Sequence, residues 1–141
     1  KLEINREKTK VIDLRKETAS LNFLGFTFRF DKDLYGKKKK YLNVFPSKKT
    51  MEREREKLRT MINKTHCFTP LPTLIVEVNK HLKGWKNYFN FGYPRKEFRQ
   101  LNSFVRMRLT KHTQRRSQRP FNPPKGVSYY QLFDRLKLVY L

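Results

Sequence analysis

The chain has 141 residues and carries 34 lysines and arginines against 12 aspartates and glutamates, a net charge of +22. That length suits one domain, or a small domain with an attached fragment. A free globular protein so charged repels itself, so a polyanion is the expected partner: nucleic acid, an anionic membrane surface or an acidic protein. The aromatic share of 14% excludes a disordered basic tail, and the single cysteine, Cys67, excludes an internal disulfide. No apolar run approaches the roughly 18–20 residues of a membrane span. The chain opens at Lys1 in mid-pattern and reads as a piece of a longer polypeptide.

Residues 1–45 read as mainly β. Leu2 and Ile4 alternate with charge and are followed by Val11, Ile12 and Leu14, which predicts short strands around a turn at 5–8. In "LNFLGFTFRF" Phe26, Phe28 and Phe30 alternate with period two, a strand with Gly25 as a kink or a point of close approach. "DKDLYGKKKKYLNVF" predicts a hairpin with its turn near 35–40 and a return strand through Tyr41, Leu42, Val44 and Phe45. Its lysines blunt the sheet edge.

Pro46-Ser47 changes the pattern. Ser47 is a candidate N-cap for a helix over "KKTMEREREKLRTMINK", with Met51, Leu58, Met61 and Ile62 as its apolar stripe. Glu52–Arg55, Glu54–Lys57 and Glu56–Arg59 are spaced i, i+3 for an exposed face. A second helix is expected from Thr73 to about Phe89. Leu74, Ile75, Val78, Leu82, Trp85 and Phe89 fall in an arc of about 100°. Asn79, Lys80, Lys83, Lys86, Asn87 and Asn90 lie opposite, and Gly92 and Pro94 end the helix. A third helix over about 95–116 carries Phe98, Leu101, Val105 and Leu109. They are flanked by a polar stripe of Arg95, Arg99, Asn102, Arg106 and Thr113. After the basic, proline-rich "RRSQRPFNPPKG", a short last helix is expected to pack Tyr130, Phe133 and Leu136 onto the bundle. The fold class is therefore α+β: a short N-terminal β-hairpin, then a mainly α-helical three-helix bundle.

His66, Cys67, His81 and His112 match no metal-ligand spacing, and the histidines read as partly buried. Asp31 and Asp33 form the one close pair among the aspartates and read as turn formers. No catalytic residue, metal site or cofactor is assigned. Nucleic acid is the stronger case. Lys37, Lys38, Lys39 and Lys40 form a basic hairpin, and Lys48 and Lys49 open the first helix. Lys80, Lys83, Lys86 and Asn87 lie opposite the aromatic face of the second. Arg95, Arg99, Arg106, Arg108, Lys111, Arg115 and Arg116 run along the third. All are candidate RNA-binding residues, suited to tracking a phosphate backbone. In "GWKNYFNFG", Trp85 and Phe89 belong to the core face, whereas Tyr88 and Phe91 are free either to pack or to stack.

Two motifs resemble a known family. Leu2, Ile4, Asn5, Lys8 and Thr9, followed by Phe23-Leu24-Gly25-Phe26, resemble the end of the palm of group II intron-type reverse transcriptases. Asn79, Leu82, Gly84, Trp85, Tyr88 and Phe89 resemble the hallmark of the maturase-specific domain, also called the thumb or X domain. The resemblance implies palm strands over residues 1–45 and a thumb over 46–141. It further implies binding to intron RNA or to RNA–DNA or RNA duplex, help in splicing, and packing against the absent palm and fingers. The polymerase aspartates of a Tyr/Phe-x-Asp-Asp turn do not occur here, so this chain alone is not expected to be an enzyme. Mg2+ is expected only in the absent palm. The implied location is the bacterial cytoplasm or an organelle. An exposed sheet edge in residues 1–45 offers a route to a homodimer. The competing readings are the thumb of a defence- or CRISPR-associated reverse transcriptase, and a basic module for an acidic protein or membrane surface.

Overall fold

The computed structural model describes residues 19–32, 40–63, 65, 68–115 and 123–141. The strands expected before residue 15, the lysine-rich hairpin turn, His66, Cys67 and Arg116 lie outside the described residues. Three strands, β1 (Leu21–Phe23), β2 (Phe26–Lys32) and β3 (Lys40–Pro46), form one antiparallel sheet in that order. Four helices follow: α1 (Lys48–Met61), α2 (Leu71–Phe89), α3 (Arg95–Gln114) and α4 (Tyr129–Arg135). The fold is α+β, as expected.

"LNFLGFTFRF" is a hairpin rather than a single strand. Leu24 and Gly25 both take positive φ, 51° and 83°, and Phe23 pairs with Phe26 across them. Two successive left-handed residues make the turn whose twist matches that of the flanking strands. A leucine there is strained by about 1–2 kcal/mol, and the turn is held from outside. The Ser47 N–H and the Thr50 hydroxyl both donate to the Gly25 carbonyl, at 2.9 and 2.8 Å. The Tyr88 hydroxyl donates to that of Leu24 at 3.2 Å. The alternation of Phe26, Phe28 and Phe30 begins only after the turn, and the step of three from Phe23 to Phe26 breaks its phase, so a single strand could not run through it.

Directly opposed residues share a face of an antiparallel pair. The register thus puts Phe26, Phe28 and Phe30 with Pro46, Val44 and Leu42 on one apolar face, and Asn22, Thr27, Arg29, Asp31 and Asn43 on the other. Phe26 carries the apolar face onto the end of α2, with its ring 5.6 Å from Tyr88, 5.0 Å from Phe89 and 5.9 Å from Phe91. Tyr88 and Phe91 therefore pack, and each still keeps over half its surface exposed. Among the described residues, the outer edge of β3 is met by Tyr93, whose N–H donates to Val44 O at 3.3 Å.

α1 starts at its expected cap: Ser47 Oγ accepts from Thr50 N–H at 3.2 Å. α2 begins two residues earlier than expected, because Pro72 falls in the first turn, where an amide proton has no helical partner anyway. The core is built from Leu58 of α1 and Ile62 at its C-cap, Leu74, Val78 and Leu82 of α2, Leu101, Val105 and Leu109 of α3, and Phe133 of α4. Of the three residues expected to dock the last helix, Phe133 is fully buried, Leu136 is half-buried and Tyr130 is exposed. Tyr129 packs in place of Tyr130.

The chain beyond α4 is clamped. α4 ends with Lys137 N–H donating to Asp134 O and Leu138 N–H to Phe133 O, with Lys137 left-handed at φ 63°. Asn79 of α2 then grips the segment from both sides: its Nδ2 donates to Lys137 O and its Oδ1 accepts from Val139 N–H, both at 2.8 Å. Asn102 of α3 holds Leu141 through N–H and carbonyl at 3.0 and 3.4 Å. Asn79→Ala is expected to lower stability by about 1–3 kcal/mol, since two backbone groups lose their partner. Amide exchange at Val139 would rise well above that of the α2 amides, whereas unchanged exchange would mean that the segment is held elsewhere.

Gly84 lies on the exposed face of α2, and among the described residues a Cβ there would meet nothing within 4 Å. Mid-helix glycine costs about 1 kcal/mol relative to alanine, and no packing among the described residues offsets that.

Candidate nucleic-acid interface

The polar face of the sheet and the first turns of α1 enclose an open cleft of about 940 Å³. Asn22, Thr27 and Arg29 line it from the sheet, and Lys48, Lys49 and Arg53 from α1. One carboxylate, Glu52, also faces it. Arg29 is partly engaged, with Nε 2.7 Å from Asp31 Oδ1 and its guanidinium over the Phe45 ring. Partial burial alone would raise the Asp31 carboxyl. Hydrogen bonds from Arg29 and Asn43, with the nearby charges of Arg29 and Lys96, outweigh it and hold that carboxyl below the ordinary value. The network's contribution to stability is therefore complete above the ordinary carboxylate range and is lost as pH falls through the lowered value.

A second hollow of about 560 Å³ adjoins the first at Gly25, Thr50 and Arg53. It is bounded by Arg53 and Lys57 of α1 and by Trp85, Tyr88 and Phe89 of α2. Lys49, Arg53 and Lys57 are exposed and spaced i, i+4, i+8, so they form one row along α1. The row is a cationic edge beside an exposed tyrosine ring. Glu54, expected to pair with Lys57, instead turns inward and lies 2.7 Å from His81 Nε2. Burial raises its carboxyl above the ordinary value, against the opposing pull of His81 and Lys57.

The predicted contact residues divide into three groups. Lys40, Lys48, Lys49, Lys80, Lys83, Asn87, Arg95, Lys111 and Arg115 are exposed, and Lys86 is half-buried. Arg99 is exposed and borders a shallow cleft between α1 and α3. Arg106 and Arg108 are engaged within the fold, contrary to their reading as part of an open basic stripe. Arg106 is buried beneath the C-terminal segment, with Nη2 3.1 Å from Asp134 Oδ1 and its guanidinium 3.8 Å from the Tyr140 ring centre. Arg108 Nη2 donates to Ile62 O at the end of α1, at 2.9 Å. Asn102 and Thr113 of the same stripe are covered as well, Asn102 by Leu141. The remaining candidates, Lys37, Lys38, Lys39 and Arg116, fall outside the described residues. Arg29, Arg53 and Lys57 were missed, although the i, i+4 spacing of Lys49, Arg53 and Lys57 is legible in the sequence.

The sequence pattern of the group II intron, maturase-specific domain matches residues 51–126, just over half of the chain. The chain belongs to that family. No curated protein and no solved structure matches it. The maturase-specific match runs from the first turn of α1 through α2 and α3 and stops short of α4. Arg53 and Lys57 of the row and the exposed lysines of α2 lie within it, Lys49 lies just before it, and the clamped C-terminal segment lies beyond it. Among the described residues, no helix of this maturase-type domain is long and apolar enough to cross a membrane.

Proposed function

We propose that this maturase-specific domain binds RNA through its basic helical surface, as the thumb of a group II intron-encoded reverse transcriptase. It would grip the backbone of intron RNA or of a template–primer duplex and assist splicing. The observation that carries this reading is the convergence of Lys48, Lys49 and Arg53 on one cleft, continued by Lys57 along α1 beside Tyr88. Dispersed lysine, arginine and asparagine on helices are suited to RNA, which is recognised largely through phosphates, 2′-hydroxyls and shape. Residues 1–45 belong, on this reading, to the end of a palm and 46–141 to the thumb, with the parent acting in a bacterial cytoplasm or an organelle.

Polymerisation would reside in the rest of that parent, with its Mg2+. Of the described aspartates, Asp31 is held by Arg29 and Asn43, and Asp134 by Arg106 and Tyr140. The reading is tested by fluorescence anisotropy with folded intron RNA, RNA–DNA duplex, single-stranded RNA and anionic vesicles. Preference for folded RNA or duplex is expected. Binding to vesicles but not to RNA would replace this reading with a membrane-surface module. RNA binding without preference for an intron would favour a defence-type origin.

A further inference from the structure

Gly84 sits in the middle of a 19-residue helix, exposed, with open space where its side chain would be. Glycine weakens a helix interior, and here no neighbouring element among the described residues needs the gap. The surroundings of the gap are specific. Lys80 lies one turn before it, Lys83 and Asn87 flank it, and Tyr88 lies one turn after it, all exposed. Tyr88 also borders the hollow that Arg53 and Lys57 share, so the gap continues the cationic edge of α1. A missing side chain between cations is what a polyanion needs in order to approach a helix backbone more closely than a Cβ would allow.

We propose that Gly84 is the point of closest approach between α2 and the minor groove of an RNA helix. The inference rests on the RNA-binding reading above and adds the form of RNA and the place of contact. An A-form helix has a deep, narrow major groove that side chains cannot enter and a wide, shallow minor groove lined by riboses and 2′-hydroxyls. A helix face with a flat centre matches that shallow surface. Lys80 and Lys83 meet the bordering phosphates. Asn87 both donates and accepts, matching the 2′-hydroxyl, which does the same.

The test uses Gly84→Ala and Gly84→Leu, with thermal unfolding and anisotropy titration on duplex RNA and on DNA duplex of the same sequence. Gly84→Ala is expected to raise Tm by about 3–6 °C. The same change is expected to weaken duplex RNA binding about tenfold with an unchanged salt slope, because no phosphate contact is lost. Gly84→Leu weakens it further while remaining folded. The preference of the original chain for RNA over DNA shrinks in both variants. Equal RNA affinity in Gly84→Ala and the original chain would overturn the proposal and leave the RNA-binding reading standing. A fall in Tm would also overturn it, because the glycine would then have an internal role. Failure of the original chain to bind any RNA would overturn both.

Discussion

Trp85→Ala is expected to lower the stability of the domain by about 3–5 kcal/mol, the range for removing a large buried ring. Trp85 is 9% exposed, and its ring lies 4.7 Å from Phe89 and 5.8 Å from Phe98, so it joins α2 to α3. Through Phe89 the same cluster reaches Phe26 and hence the sheet. A loss of this size is a large part of the roughly 5–15 kcal/mol that holds a domain together. Urea unfolding measures it directly. Trp85→Phe keeps a ring in place and should lose distinctly less. An equal loss in both variants would mean that the indole is held by something other than packing.

The second large effect belongs to Gly92. It has φ of +66°, and a Cβ there would lie 2.3 Å from the carbonyl oxygen of Val44 and 2.9 Å from its nitrogen. Backbone cannot yield as a flexible side chain does. Gly92→Ala therefore combines left-handed strain with overpacking, for about 2–5 kcal/mol together. The segment after α2 would move off β3 and lose the Tyr93 N–H bonds to Val44 O and Asn43 Oδ1, along with the Tyr41–Tyr93 ring contact. Unfolding by urea gives the total, and faster amide exchange at Tyr93 locates it. A neutral substitution would show that the close approach of this segment to β3 does not exist in solution. Gly84 differs: among the described residues nothing packs where its side chain would be, whereas Gly92 lies against the β3 backbone.

The parts of this fold legible in sequence are those governed by local periodicity. Leu74, Val78, Leu82, Trp85 and Phe89 recur at helical spacing, and Ser47 precedes an apolar stripe, so α1 and α2 could be placed closely. The Leu24–Gly25 turn was missed because the reading rested on Phe26, Phe28 and Phe30, which all follow it; the step of three from Phe23 to Phe26 was the signal of a break. The stripe of Arg95, Arg99, Asn102, Arg106 and Thr113 on α3 was legible as a stripe, but not what it faces. Asp134, Tyr140 and Leu141 cover much of it from a distant part of the chain, and such pairings leave no local signal. Asn79 looked like a solvent-facing asparagine for the same reason, its partners being Lys137 and Val139. Lys57 was misassigned because its i, i+3 glutamate, Glu54, prefers burial against His81 to a surface pair. Exposed i, i+3 pairs contribute little, so the helix loses little by giving one up.

On the proposed reading, the charge of this maturase-specific domain grips a nucleic-acid backbone at defined places. The direct measurement is the slope of log affinity against log salt for folded RNA, compared between the original chain and Lys49→Ala/Arg53→Ala/Lys57→Ala. A steep linear fall is expected for the original chain. For the variant, still folded by its unfolding curve, the expected slope is shallower by about one per lost phosphate contact. A flat slope for the original chain, or an unchanged slope in the folded variant, would mean that this surface does not grip the backbone.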